Sequence, residues 1–386
     1  MQLAFLAPLL DRPGPWASVF LDTSHSTEDA TQRQDLLDRT AVRRLAALGA
    51  DDRTCAAVRD HLAAEPASAA PPGRALFATD GEVVLDVPLS GSPPDVEASW
   101  SALPHTSRLL GLLDDLAIAC LVAFIDRTGA DLEVRELGRS DRLGSVAGPQ
   151  WQGRGPHRAP PADRYEWHYQ HRREDGWERT AELIADEIAR RWPESGARLL
   201  VLTGDARERR AVHDRLPQQL RAEAVEVDGG GRAGGIAAEA FDRQLARAWQ
   251  EHRQRRLDTA LADFRAGLGR PGEHTTDGGG TEAAPGAAAQ GVPAVVAAAR
   301  QHRVATLLIQ QGAADAERQV WVGPEPEHVA VQRGEVRTMG ADGVEPAPAA
   351  DALLRCAAAT GAEALLVPAG VSGPAGGVGA VLRWQP

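Results

Sequence analysis

Short apolar runs of four to six residues alternate with segments of helical period along most of this chain, and that alternation limits the fold more than any other feature. The first stretch, residues 1–116, opens with the strand Ala17–Leu21, followed by a polar Asp/Thr/Ser/His run. Leu36, Leu37, Val42, Leu45 and Leu48 then fall near helical spacing, with Gly49 as the stop, and a second helix covers Asp52 to Glu65. Ala75–Phe77 and Val83–Val87 read as a hairpin across Thr79-Asp80-Gly81, because Asp-Gly supplies the positive φ of a tight turn.

The middle stretch, residues 117–268, starts with two strands, Cys120–Ile125 and Ala130–Leu137, and continues as an irregular loop over 138–176. Trp177, Ala181, Ile184, Ile188 and Trp192 recur at helical spacing. Leu199–Leu202 is a strand, Asp205 is placed to cap the next helix, and strand Ala224–Val227 leads through a glycine run into a helix reaching Phe264. This order predicts a largely parallel sheet. Residues 269–290 are Gly, Ala, Thr and Pro with almost nothing large to bury, and read as a flexible linker. The last stretch, 291–386, has a helix at 293–302, strand Thr306–Ile309, a β excursion at Val320–Val322, a helix at 350–360, strand Ala364–Val367 and a closing strand Ala380–Trp384. The fold class is therefore α/β, in three consecutive α/β domains joined by one linker.

Length supports that count, since 386 residues exceed one ordinary core, and 43% apolar residues suffice for several. The N-terminal MQLAFLAPLLDRPGPW lacks a basic leader and reads as a first structural element rather than a signal peptide. No apolar run approaches a membrane span. Cys55, Cys120 and Cys356 are scattered, without metal spacing, and fit buried thiols in a reduced, cytoplasmic setting. A net charge of −12 speaks against a general DNA or RNA coat, so any nucleic-acid contact must come from a local basic patch.

One stretch inverts that charge. Trp151–Arg173, WQGRGPHRAPPADRYEWHYQHRR, carries five arginines and three histidines against only Asp163 and Glu166, and holds both tyrosines of the chain. Arg154, Arg158, Arg164, Arg172 and Arg173 are candidates for phosphate contacts, because the guanidinium fork matches phosphate oxygens. Trp167 and Tyr169 are candidates for stacking on unpaired bases, and His168 and His171 for further RNA contacts. The competing reading is a solvated basic loop whose aromatic rings fold back onto the sheet. His157, His168 and His171 have zinc-like spacing, yet no thiolate or carboxylate completes a site, so no metal and no cofactor is expected. Gly229–Gly235 follows a strand and precedes a helix, but it is neither a Walker A nor a GxGxxG motif and reads as a structural turn. Ser24 and His25 are adjacent on an extended chain and point apart, and there is no GxSxG elbow. Acid pairs such as Asp51-Asp52 and Asp114-Asp115 are accounted for by capping or solvation.

The order of elements resembles the bacterial branch of the archaeo-eukaryotic release-factor family, which includes Pelota, the Vms/Ankzf-type peptidyl-tRNA hydrolases and the hibernation factor Balon. The likeness covers nearly the whole chain and is nearest to actinobacterial members. CLVAFIDRTGADLEVREL, WERTAELIADEIARRW, ARLLVLTGD and AVEVDGGGRAGGIAAEAFDRQL resemble the family's second domain. GVPAVVAAARQHRVATLLI, GAEALLVPAG and the ending GGVGAVLRW resemble its third, which is akin to ribosomal proteins that bind kink-turn RNA. Release factors place a Gly-Gly-Gln loop before the first long helix of the middle domain. Here the corresponding stretch holds Gly153-Arg154-Gly155 and His168-Tyr169-Gln170-His171, without that tripeptide.

The resemblance implies a cytoplasmic factor that occupies the ribosomal A site, against rRNA, as a hibernation or rescue protein without stop-codon-dependent termination. Elongation factor Tu is an implied partner. An alternative within the family is a peptidyl-tRNA hydrolase in which Gln170 positions the water, although its bulky neighbours lack glycine's freedom. An alternative of another class is a stress-related α/β interaction protein with no ribosomal role.

Overall fold

A computed structural model describes residues 3–10, 12–23, 30–64, 72–89, 91–113, 119–136, 139–148, 163–228, 238–269 and 287–384. They divide into two compact units, one made of residues 1–114 and 255–386, the other of 115–254.

The N-terminal segment contains α1 (Ala7–Leu10), β1 (Trp16–Asp22), α2 (Ala30–Ala47), α3 (Asp52–Ala64), β2 (Gly73–Thr79), β3 (Glu82–Leu89), β4 (Glu97–Ser101) and α4 (Thr106–Leu112). Its sheet runs β3-β2-β1-β4, antiparallel throughout. Ala17, Val19 and Leu21 alternate along β1 and share one buried cluster with Leu76 of β2, Ala41 and Leu45 of α2, and Val58 and Leu62 of α3. On the opposite face Phe20 and Phe77 meet edge to face, 5.9 Å between centroids. The hairpin is as expected, with Asp80 at φ 48° and Gly81 at φ 77°, a two-residue turn of the kind that matches strand twist. Asp51 caps helix α3, its Oδ1 accepting the Thr54 N–H at 2.9 Å. That backbone bond holds the Asp51 carboxyl below the usual range, so capping accounts for this acid.

The middle segment contains β5 (Cys120–Asp126), β6 (Gly129–Glu136), β7 (Arg139–Ala147), α5 (Asp163–Ser195), β8 (Leu199–Gly204), α6 (Ala206–Arg215), α7 (Gln218–Glu223), β9 (Ala224–Val227) and α8 (Ala238–Leu268). The sheet order is β7-β6-β5-β8-β9. Leu121, Ala123 and Ile125 face Ala181, Ile184 and Ile188 of α5, while Cys120, Val122 and Phe124 face Phe241, Leu245 and Trp249 of α8. Helices thus cover both sheet faces, which is why β5 and β8 read as continuous apolar runs. Asp205 caps α6, its side chain accepting the Arg207 N–H at 3.0 Å.

Two expectations for this segment need correction. The sheet is mixed rather than largely parallel: β5, β8 and β9 are parallel, but β5–β6 and β6–β7 are antiparallel. The turn Asp126–Gly129 is far too short for a parallel crossover, so it forces a hairpin. Nor are residues 138–176 one irregular loop, because β7 occupies Arg139–Ala147 and α5 begins at Asp163.

The C-terminal segment contains β10 (Ala288–Gln290), α9 (Val292–Arg300), β11 (Val304–Gln310), β12 (Gln319–Val322), β13 (Val329–Ala330), α10 (Arg333–Thr338), β14 (Glu345–Pro348), α11 (Ala349–Ala359), β15 (Glu363–Val367) and β16 (Val378–Leu382). The expected linker 269–290 therefore ends in a strand: Ala288–Gln290 pairs with Val381–Gly379, giving those backbone groups ladder partners. The larger sheet runs β10-β16-β11-β15, with β11 and β15 parallel, and β13-β12-β14 form a small antiparallel sheet. Leu257, Leu261 and Phe264 of α8 pack on Leu308, Leu365 and Val367.

Within the first unit the two chain segments meet at Asp351 of α11, which is 2% exposed. His105, at the start of α4, offers no side-chain cap. Asp351 takes that role from a distant part of the chain, accepting the Ser107 N–H at 2.7 Å and lying 3.4 Å from Thr106 Oγ1. His105 Nε2 stands 3.7 Å from the other carboxylate oxygen.

Candidate nucleic-acid interface

Helix α5, which holds residues 163–173 of the basic aromatic stretch, packs against a tightly constrained end of the middle sheet. Asp126 Oδ1 accepts from the Thr128 N–H and hydroxyl, both at 2.7 Å, and from the Gly129 N–H at 3.0 Å, closing the β5–β6 turn. Gly129 has φ +154°, and a Cβ there would lie 1.8 Å from the Val146 carbonyl oxygen of β7. Only glycine fits this approach. The Gly148 N–H donates to the Thr128 carbonyl at 2.8 Å, and a Cβ on Gly148 would stand 2.3 Å from Thr180 Oγ1 of α5. Turn, end of β7 and helix α5 are therefore locked together at one level, the C-terminal edge of parallel strands β5 and β8. In open α/β sheets that edge is where ligands bind.

Thr180 fixes the axial position of α5 at this edge. Toward its C-terminus the helix runs back along the sheet, and the chain returns into β8, where the Arg198 N–H donates to the Ala119 carbonyl at the other end of β5. The helical residues before Trp177, starting at Asp163, thus continue past the sheet edge. At ~1.5 Å per residue they add about 20 Å of helix.

The edge itself presents Arg127, whose side chain is 74% exposed and pairs with Glu208 at 2.8 Å. Arg209 beside it is buried; its Nη1 donates to the Val227 carbonyl at 2.6 Å and pairs with Asp228 at 2.6 Å, which ties β9 to α6. Neither arginine was singled out in the sequence, because their roles depend on which strand ends lie side by side.

Of the sequence-designated residues, Arg154 and Arg158 lie outside the described residues. Arg164, Trp167, His168, Tyr169, Gln170, His171, Arg172 and Arg173 fall on α5, and their side chains lie outside the described residues. Gln170 is thus on a helix instead of in a loop. His157, Ser24, His25 and the glycine run 229–235 also lie outside the described residues. Among the described residues no group of three or more His, Cys, Asp or Glu side chains is placed to hold a metal ion. All three cysteines are buried, and burial pushes the Cys120 and Cys356 thiols up to about 12, where they are inert as nucleophiles near neutrality. No described helix is long and apolar enough to cross a membrane.

Residues 119–270, nearly coincident with the segment that builds this edge, match the family described as bacterial archaeo-eukaryotic release factor family 2. Two uncharacterized proteins of Mycobacterium tuberculosis, one from strain H37Rv and one from strain CDC 1551, are each 26% identical over 385 residues, covering 97% of this chain and 95% of theirs. Among solved structures the chain is similar to the archaeal translation termination factor aRF1 (15% identity, 98% of this chain and 96% of that one, TM-score 0.24). It is also similar to ribosome-bound archaeal Pelota (14%, 98% and 93%, TM-score 0.37) and to Saccharomyces cerevisiae Dom34 (10%, 82% and 76%, TM-score 0.37).

Proposed function

From the chain's membership of the bacterial archaeo-eukaryotic release-factor-like family, carried by residues 119–270, we propose that it is a ribosome-associated translation factor that enters the A site as a hibernation or rescue protein. The observation that carries this reading is the position of the basic aromatic stretch. It is a strongly cationic, aromatic run in a chain of net −12, and its residues from Asp163 onward lie on helix α5, which continues past the edge of the middle sheet. Arg164, Arg172 and Arg173 on that helix, with Arg154 and Arg158 before it, meet rRNA or tRNA phosphates, and Trp167 and Tyr169 stack on unpaired bases. His168 and His171 add donors to the same segment. Elongation factor Tu is the proposed delivery partner, and the cytoplasm the proposed compartment.

Two sequence features favour occupancy over hydrolysis. The Gly-Gly-Gln tripeptide is absent, and Gln170 sits between His and Tyr within α5, where helical backbone geometry denies it the freedom a glycine-flanked loop provides. Co-sedimentation with ribosomes at rising salt tests the reading. Binding that falls steeply between 50 and 200 mM salt is expected, because several phosphate contacts release counterions (a loss of roughly 10³ or more for about six contacts). Protein that stays in the supernatant at low salt, with active and idle ribosomes alike, refutes a ribosomal role and leaves the α/β interaction protein. Release of labelled peptide from peptidyl-tRNA that disappears in Gln170→Ala identifies the hydrolase instead.

A further inference from the structure

Another basic and aromatic cluster, with Arg383 and Trp384 exposed and Arg303 half-buried, lies far along the chain, at the end of the C-terminal sheet where β16 finishes and β11 begins. Strand β16 ends at Leu382, and the next two residues are Arg383 and Trp384. The Arg383 N–H donates to the Arg303 carbonyl at 2.7 Å, which brings the chain just before β11 alongside them. Trp384 is 51% exposed, whereas Trp16 and Trp249 are almost wholly buried. A large ring left half in water beside two arginines is the unusual feature here.

The cations are equally unusual. Arg303 Nε and Nη2 donate to the Trp384 carbonyl, both at 3.4 Å, and Nη1 donates to Gln301 Oε1 at 3.1 Å. Arg383 Nη2 donates to the Thr360 carbonyl at 2.7 Å. Every one of these acceptors is neutral. Among the described residues no carboxylate forms an ion pair with Arg303 or Arg383, whereas neighbouring Arg300 and Arg256 pair with Glu335 and Glu363. His302, at φ +57°, is also exposed between Gln301 and Arg303. In an acidic protein, two guanidinium groups held by carbonyls and, among the described residues, without a carboxylate partner are available to an anion, with the exposed Trp384 next in the chain.

We propose that Arg303, Arg383 and Trp384 form a contact surface for an unpaired RNA strand, the two guanidinium groups meeting neighbouring phosphates and the indole stacking on a base. The choice of RNA rests on the ribosomal reading above; the recognition chemistry rests on this cluster. The surface is separate in sequence from the 151–173 stretch and gives the protein a second point of attachment.

The test uses the full chain and a fluorescein-labelled twelve-nucleotide single-stranded RNA of mixed sequence, read by anisotropy from 50 to 200 mM salt. Arg303→Gln with Arg383→Gln is expected to lower the slope of log affinity against log salt by about 1.4, at ~0.7 per single-strand phosphate. Trp384→Ala is expected to weaken binding roughly five- to 150-fold, the range of base–aromatic stacking, and Trp384→Phe to restore most of it. Unchanged slope and affinity in both variants overturn the proposal. So does an arginine effect without a Trp384 effect, which marks a plain anion patch rather than a surface for an unpaired strand. Should the arginine pair fail to fold by circular dichroism, the Trp384→Ala and Trp384→Phe comparison decides, since that ring is exposed.

Arg172→Gln with Arg173→Gln, measured by ribosome co-sedimentation, separates the two readings. If that variant loses ribosomes and RNA binding is indifferent to Arg303, Arg383 and Trp384, only the second surface falls. If the wild-type chain never pellets with ribosomes yet binds RNA through Trp384, only the ribosomal reading falls.

Discussion

Removing the Asp351 carboxylate in two different ways separates its hydrogen bonding from its charge. Burial pushes this carboxyl above the usual aspartate range, against the pull of His105 and of the bond from Ser107. The folded protein therefore holds that proton more tightly than the unfolded chain does. The associated stability is complete below the usual aspartate range and is lost as pH climbs through the raised value. Ionising this buried group thus carries a desolvation cost, while its oxygen satisfies the start of α4. Asp351→Asn keeps an acceptor for the Ser107 N–H and removes the charge. It is expected to be neutral or mildly stabilising at pH 7, with a flatter stability profile between pH 4 and 7. Asp351→Ala removes the side-chain acceptor at the start of α4, and a lost N-cap costs about 1–2 kcal/mol. In a unit of this size that lowers the midpoint by roughly 2–4 °C per kcal/mol. Thermal unfolding of the three proteins from pH 4 to 8 provides the measurement. Asn as damaging as Ala at pH 7, or wild-type stability that rises relative to Asn as pH increases, shows the charge itself stabilising the junction and refutes the reasoning.

Ile184→Ala, in the fully buried face of α5, is expected to cost about 2–4 kcal/mol, and limited proteolysis should then cut the middle segment before the rest. Arg74, 4% exposed, binds Asp86 through Nε and Nη2, with His61 Nε2 2.9 Å from the same carboxylate. Arg74→Met should destabilise by about 2–3 kcal/mol in urea, less than a fully buried pair because Asp86 keeps some contact with water. Gly129→Ala should cost 2 kcal/mol or more, roughly, since the added methyl overlaps the Val146 carbonyl at a φ that favours glycine; a circular-dichroism melt indistinguishable from wild type would contradict the packing described for that turn.

How legible each element was depended on whether its periodicity is imposed by a core. Strand β5 and the Trp177–Trp192 part of α5 could be read directly, because each alternate or fourth residue meets the sheet interior. The first turns of α5 could not: before Trp177 no core residue sets a 3.6-residue repeat, and Pro160-Pro161 with Gly176 suggested a loop on both sides. Strand β7 was missed for a related reason. Its RSDRLGSVA is a sheet edge with only Leu143 and Val146 packed inward, so the alternation is too weak to detect. The Asp126–Gly129 turn is legible in the sequence, and its shortness dictates an antiparallel pair where the alternation of strands and helices suggests a parallel one.

Contacts between residues remote in sequence were hidden altogether. Nothing near Asp351 indicates that it caps a helix 244 positions away, and Arg74 within the apolar β2 gave no sign of Asp86 and His61. The same limit explains why Trp151–Arg173 stood out and Arg303, Arg383 and Trp384 did not. The first is one contiguous run, whereas the second is assembled by the register of β11 against β16. Net charge would have misled in both cases. At physiological salt the screening length is about 8 Å, so a phosphate responds to the few groups within that reach and not to the −12 of the whole chain. An acidic protein can therefore bind RNA through two small cationic surfaces while its remaining surface repels the polymer, which favours a fixed orientation over non-specific coating. On this account, neutralising exposed acids remote from both surfaces should speed association with RNA at low salt and leave the dissociation rate unchanged. A slower dissociation rate would mean those acids touch the bound strand, and the contact would be broader than two local patches.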